Sequence, residues 1–260
     1  MPRSILDREL HELDSQIQQL GSLVAEALEK ALGALKTADL AEAGLVIEGD
    51  SAIDRLRKTV EEHTVRLLTL QQPLGGRDIR YLTSALSIVS DLERMGDNAE
   101  GVAEILLRTI PLQMVSKNMD AGFAPSNSSQ VAETAAVRSL LELGHEASRV
   151  LQGTMKAFST LDSKAARYIW EEDDVVDVRY HLVRHDLMAM MSGDSAIPAL
   201  QHDSLALQRV TYLLWIAHKL ERVGDHCTNI CERIVFMVEG ETSISRTQEK
   251  PDDLPQPTDS

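Results

Sequence analysis

Apolar residues recur along this chain at three- and four-residue steps, the period at which side chains line one face of an α-helix. Leu6, Leu10, Leu13, Ile17, Leu20, Val24, Leu28 and Leu32 predict a first long helix from about Ser4 to Lys36. Ile53, Leu56, Val60, Leu67 and Leu70 predict a second, from about Leu40 to Leu70, stopped by Gln72-Pro73-Leu74-Gly75-Gly76. A third runs from Arg77 to about Thr109 and is expected to end at Pro111, because proline supplies no N–H to the helical ladder. Three more follow: about Gln130 to Ser159, about Ser163 to Met191 and about Asp203 to Glu239, with Ser192-Gly193-Asp194 and Pro198 breaking the chain before the last. The expected fold class is all-α, with six long helices.

The pattern is written twice. Leu92-Glu93-Arg94-Met95-Gly96-Asp97 in the third helix returns as Leu220-Glu221-Arg222-Val223-Gly224-Asp225 in the sixth, an offset of 128, which the pairs Thr83/Thr211 and Glu104/Glu232 keep. Residues 48–54 correspond to 171–177 at an offset of 123, and the longer connection between helices five and six takes up the difference. This predicts two tandem, similar three-helix bundles related by internal duplication, residues 1–115 and 130–240. The stretch 116–129, rich in Gly, Pro, Ser and Asn, reads as the linker. Residues 241–260 are polar and proline-containing, and are expected to be disordered.

Composition narrows the partners. Lys+Arg 26 against Asp+Glu 41 leaves a net charge of −15, and aromatics make up 3% of the chain, so both phosphate neutralisation and base stacking are poorly served. No nucleic acid partner is expected. Cys227 and Cys231, four apart, form neither a disulfide framework nor a CxxC pair, and read as small buried apolar residues in a reducing compartment. The N-terminal segment lacks the apolar core of a signal peptide, and no stretch approaches a membrane span, so a cytoplasmic protein is expected. Gly75-Gly76 lacks the Lys-Ser/Thr of a phosphate loop. Glu142 and His145 make an ExxH, but di-iron bundles need two, and no other Glu has His three residues on.

The acids carry the remaining signal. Roughly six pairs spaced i,i+4 are expected by chance in so acidic a chain, but Asp50/Asp54, Glu93/Asp97, Asp173/Asp177 and Glu221/Asp225 fall at equivalent places in both repeats. Each pair projects two carboxylates from one helix face. In the sixth helix they lie on a polar stripe with His218, Asn229 and Glu232, flanked by apolar residues; the third helix has Ser90, Gly101 and Glu104 in place of those three. His226 points about 100° away from Asp225 around the helix and is the poorer ligand candidate. If the pairs of neighbouring helices face each other, four carboxylates share a small site and cannot all ionise without a cation. Oxygen-rich ligation with a histidine nearby suits magnesium, manganese or iron better than structural zinc. The other reading is two solvated faces with Arg94 and Arg222 as partners. Gly96 and Gly224 weigh against it, since mid-helix glycine costs about 1 kcal/mol and marks close packing.

LERMGDNAEGVAE and LERVGDHCTNICE, with Gln72-Pro73 before Arg77-Asp78-Ile79-Arg80, resemble the PhoU family of phosphate-transport and phosphate-signalling regulators, over nearly the whole chain to Gly240. The resemblance implies two similar three-helix bundles and metal clusters, iron or zinc, at the paired motifs. Asp50, Asp54, Glu93 and Asp97 would form one site, and Asp173, Asp177, Glu221 and Asp225 the other. Asn229 matches the family's asparagine after the second motif; Gly101 departs from it in the first, where Glu100 is the substitute or the site is weaker. The implied partners are the ATP-binding subunit of a phosphate ABC transporter and a sensor histidine kinase, with a homodimer as the assembly and membrane contact only through those partners. The implied activity is negative regulation by binding, not catalysis. The rival is a carboxylate-bridged metalloenzyme, since two adjacent metals can activate water.

Overall fold

The computed structural model describes residues 3–70, 73–119, 127–172, 174–192, 204–242 and 244. The described chain forms α1 (Arg3–Thr37), α2 (Leu40–Leu70), α3 (Gly76–Met119), α4 (Asn127–Thr160), α5 (Ser163–Glu172), α6 (Asp174–Ser192) and α7 (Ser204–Glu239). The expected fifth helix is thus described as two pieces, on either side of Asp173. Helix α3 continues through Pro111 instead of ending there, and α3 and α4 take in both ends of the stretch read as a linker. A proline inside a long helix removes one hydrogen bond without forcing the chain to stop. The chain beyond α7 does not leave the protein at once: Arg167 donates to both Glu239 and Glu241, and Ile244 is buried. Residues 245–260 lie outside the described residues.

Helices α1, α2 and α3 pack together as one bundle, and α4, α5, α6 and α7 as a similar one. The duplication reaches the turns. Ala38 adopts a left-handed φ of 56°, and Asp39 then caps α2, its Oδ1 accepting from the amides of Ala41 at 2.8 Å and Glu42 at 3.1 Å. At an offset of 123, Leu161 has φ 49°, and Asp162 caps α5 through Lys164 and Ala165, both at 3.0 Å. An aspartate that accepts two amide protons ends one helix and starts the next the same way each time.

The two bundles share one core. Leu13, Ile17, Leu20, Leu92, Met95, Leu140, Leu143, Phe158, Leu220 and Ile230 belong to a single buried cluster, and the most extensive helix pairing, α3 with α7, crosses between repeats. Gly144 of α4 lies against Leu32 of α1, and Gly21 of α1 against Met155 of α4, so two glycines admit close approach on the second crossing pair. No described helix is long and apolar enough to cross a membrane.

Candidate metal centres

Gly96 lies buried where α2 meets α3. A Cβ there would stand 3.0 Å from Ile53 Cδ1 and 3.5 Å from Asp50 Oδ1, so the missing side chain lets α2 press its carboxylate against α3. One ligand oxygen from each of Asp50, Asp97 and Glu100 lies within 4.8 Å of the other two. Asp50 Oδ1 is buried and has no hydrogen-bond partner. Burial pushes the Asp50 carboxyl up to about 6, helped by the charges of Asp97, Asp54 and Glu93. Glu100 is raised by burial, then by Asp50, Glu104, Asp97 and Asp54.

The expected quartet is therefore rearranged. Asp50 and Asp97 converge, and Asp54 stays close enough for its charge to be felt. Glu93 turns to Arg57, whose Nη1 donates to Oε1 at 3.1 Å, and Glu100 takes its place. Burial still raises Glu93, as does Asp97, against the lowering effect of Arg57.

In the second repeat, Asp177 of α6 meets Glu221 and Asp225 of α7 with the same 4.8 Å spacing. Asp173 lies outside the described residues. Burial raises both Glu221 and Asp225; Asp225 adds to the first and Asp177 to the second, while His218 lowers both. His218 Nδ1 stands 3.0 Å from Glu221 Oε2. The Tyr180 ring lies beside His218, and burial and the Glu221 charge push its hydroxyl up. Arg94 and Arg222 make no ion pair within 4.0 Å among the described residues, but each lies near enough for its charge to lower an acid of its centre, Glu93 and Asp225 respectively. Carboxylates that raise one another, and a buried oxygen with nothing to accept from, fit an oxygen-seeking cation.

Asn229 is drawn elsewhere. Its Nδ2 donates to Asp91 Oδ1 at 3.3 Å, and His226 Nδ1 reaches the same oxygen at 2.9 Å, across the α3–α7 seam. At the equivalent crossing, 128 residues displaced, Gly101 leaves room for Lys219, whose Nζ would lie 2.8 Å from a Cβ at that position. Gly101 therefore makes room for a contact across the seam. Sequence spacing did not reveal Asp91 or Arg57, because each acts on a partner in another helix. His226 is buried and its Nε2 has no partner. Replacing Asp91 by Ala would leave both ring nitrogens unsatisfied, and a loss of about 1–3 kcal/mol is expected in urea unfolding. Asp91→Ala with His226→Leu should cost less than Asp91→Ala alone. The ExxH dissolves: Glu142 pairs with Arg179 at 3.4 Å, and His145 is exposed. Both cysteines are buried, and Cys231 Sγ lies 3.7 Å from Thr154 Oγ1.

The raised carboxyls set a pH dependence for the metal-free protein. A carboxyl whose folded pKa exceeds its unfolded value binds more protons when folded, so its contribution is present at low pH and lost as pH rises through the folded value. For Asp50 that window runs from the ordinary 3.8 to about 6. Metal-free protein is thus expected to melt higher at pH 5 than at pH 7, and saturating cation should remove or reverse the trend.

The chain matches the profile of the PhoU domain twice, over residues 17–106 and 140–234. It is 32% identical to a phosphate-specific transport system accessory protein PhoU homolog of Streptococcus pneumoniae serotype 4, covering 92% of this chain and 97% of that one. A protein of the same name from Clostridium acetobutylicum is 27% identical over the same shares. Among solved structures, the phosphate transport system regulatory protein PhoU from Streptococcus pneumoniae superposes with a TM-score of 0.73 at 30% identity, covering 92% of this chain and 99% of that one. PhoU from Pseudomonas aeruginosa gives 0.72 at 29% identity, covering 90% and 99%.

Proposed function

The chain belongs to the PhoU family, and on that premise we propose that it restrains phosphate uptake and phosphate-starvation signalling through protein contacts while holding metal ions at its two acidic centres. It is a regulatory accessory protein of a phosphate transport system, as its full-length relatives are named. The observation that carries the finer reading is the convergence of three acids in each repeat, Asp97 and Asp225 at equivalent positions, with Asp50 left holding a buried oxygen without a partner.

Asp50, Asp97 and Glu100, with Asp54 and Glu93 beside them, would hold cation in the first centre. Asp177, Glu221 and Asp225, with Asp173 and His218, would hold it in the second. Iron or zinc is the family-like choice, and magnesium or manganese suits the oxygen ligands equally. A bound cation supplies charge compensation: it would relieve the repulsion between carboxylates and tie α2 to α3 and α6 to α7. The protein's own part is to present the carboxylates from rigid helices and shield them with apolar neighbours. We place it in the cytoplasm as a homodimer, engaging the ATP-binding subunit of a phosphate ABC transporter and a sensor histidine kinase. It acts without turnover, because the two centres share ligands but no additional acid–base group.

Deleting the gene is expected to derepress phosphate-responsive genes in phosphate-replete medium, read as transcript levels and phosphate uptake. Pull-down from membranes should recover the transporter subunit or the kinase. Unchanged phosphate control, together with a hydrolytic or redox turnover lost in Glu221→Ala, would establish the metalloenzyme instead.

A further inference from the structure

Away from the acidic centres, each repeat serves as a control for the other. At the 123-residue offset, α1 and α2 map onto α4, α5 and α6, and burial keeps the register: Ile17 and Leu140, Val60 and Val183, and Leu67 and Met190 are buried in both copies. Gly21 and Gly144, the glycines of the α1–α4 crossing, are equivalent as well. In the first repeat, side chains interlock between α1 and α2. Leu13 is fully buried there. His63, also buried, stands with Nδ1 3.1 Å from Gln16 Oε1 and Nε2 3.2 Å from Glu9 Oε2, an oxygen that Arg66 approaches to 3.7 Å. The second repeat has Ala136 for Leu13, Ser139 for Gln16, Asp186 for His63 and Ala189 for Arg66. Between α4 and α6 there is instead a cavity of about 260 Å3, lined by Ala136 and Ser139 of α4 and by Val183, Asp186, Leu187 and Ala189 of α6.

The outer face of α6 changes in the same sense. Val178 is 57% exposed and Leu182 61%, where the first repeat has Arg55 and Thr59. Val178, Leu182, Asp186 and Ala189 follow one another at steps of four, four and three, so the exposed apolar stripe runs into the cavity along one face of the helix. Val183 and Leu187 carry another face of α6 into the core. A helix that is apolar all round is one that is covered all round, and the polar α2 shows that the architecture does not itself require such a stripe.

Volume and charge select the occupant. Small-molecule pockets run from roughly 300 to 1,000 Å3, so this smaller cavity suits anchoring side chains, with the stripe supporting the rest of a helix laid along it. Asp186 stands at the rim, 69% exposed, its carboxylate 3.4 Å from exposed His185. The chain carries a net charge of −15. A second copy or an anionic lipid surface brings like charge to that rim, whereas a cation beside an apolar anchor pairs with it. We propose that the α4–α6 groove is a docking site for an amphipathic helix of another protein, an apolar residue entering the cavity and a flanking lysine or arginine meeting Asp186. This rests on the reading above that the protein acts through contacts, and it assigns those contacts a surface; it needs no metal at either centre.

The test places a photocrosslinking amino acid at Leu182 of the full chain in its host, and at the equivalent, exposed Thr59 as control, with the products mapped by mass spectrometry. The expected product joins position 182 to an apolar helical segment flanked by lysine or arginine in another protein, and position 59 gives none. Ala136→Leu with Ser139→Gln restores the first repeat's side chains; it should fill the cavity and lower the yield about ten-fold or more, while the melting temperature holds or rises. Asp186→Lys, a change on the exposed rim that leaves the core untouched, should lower the yield by a similar factor. A product with a second copy, with lipid or with residues 193–203 of the same chain overturns the proposal. So do equal yields from the two positions, or a yield indifferent to Asp186→Lys. Derepression on gene deletion tests the regulatory reading separately, so the groove can fail while that reading stands.

Discussion

Replacing Asp97 and Asp225 by alanine in the same chain is expected to abolish cation uptake at both centres and to leave the helical fold intact. Each residue contributes one of the converging oxygens of its centre, and each is exposed enough that truncation opens no cavity. The sign of the stability change depends on the cation. Without it, the variant should melt at or above the metal-free parent, because a carboxylate that raises its neighbours has been removed. With cation at a hundred times its dissociation constant, the parent gains about 2.7 kcal/mol per centre, or about 5 kcal/mol for two. At about 2–4 °C per kcal/mol for a chain of this size, that is a rise of about 10–20 °C in the parent and none in the variant. Scanning calorimetry with and without added cation, beside metal counting, measures both. An unchanged stoichiometry in the double variant would remove these residues from the centres.

Separating the repeats should have the other large effect. Residues 3–119 and 127–244, produced as independent chains, are expected not to fold, although each contains a complete copy of the repeated motif. The reason is the shared core: Leu82, Ile88, Leu92, Met95 and Val102 of α3, and Leu213, Ile216, Leu220, Val223 and Ile230 of α7, are all buried in the intact chain, where α3 and α7 form the principal pairing. At about 1.5–3 kcal/mol for each large apolar side chain returned to water, exposing a handful cancels the 5–15 kcal/mol by which domains are stable. The seam also supplies partners neither half has alone, including Asp91 to His226 and Ser148 to Glu29. Circular dichroism should show no cooperative melt for either half, and mixing should restore one. A half that melts cooperatively by itself would make the bundles independent domains.

The helices were legible because their signal is local: Ile17, Leu20, Val24 and Leu28 declare a buried face by spacing alone, and all four are buried. The duplication was legible because identical motifs recur at fixed offsets, and the structure extends it to Asp39 and Asp162, where the sequence offered only two isolated aspartates. The passage of α3 through Pro111 was not legible, since helix continuity past a breaker depends on what the neighbouring turns pack against. In the candidate centres, the pairing of Glu221 with Asp225 followed from i,i+4 geometry, whereas the meeting of Asp50 with Asp97 was only a condition in the sequence reading, met where Gly96 lets α2 approach α3. The role of Glu100 in place of Glu93, the capture of Glu93 by Arg57, and the diversion of Asn229 to Asp91 did not, because each is a choice among partners on different helices.

By itself, then, the sequence determined an acidic, duplicated, all-helical chain with two groups of carboxylates on buried-flanked faces, because periodicity and i,i+4 spacing act within one helix and need no knowledge of the rest. Which carboxylates meet, which are neutralised by an arginine or a histidine, and that the two bundles close over one core were decided only by tertiary structure. Those outcomes depend on the register and rotation of helices far apart in the chain, where a shift of one residue turns a side chain by about 100° and exchanges a ligand for a salt bridge.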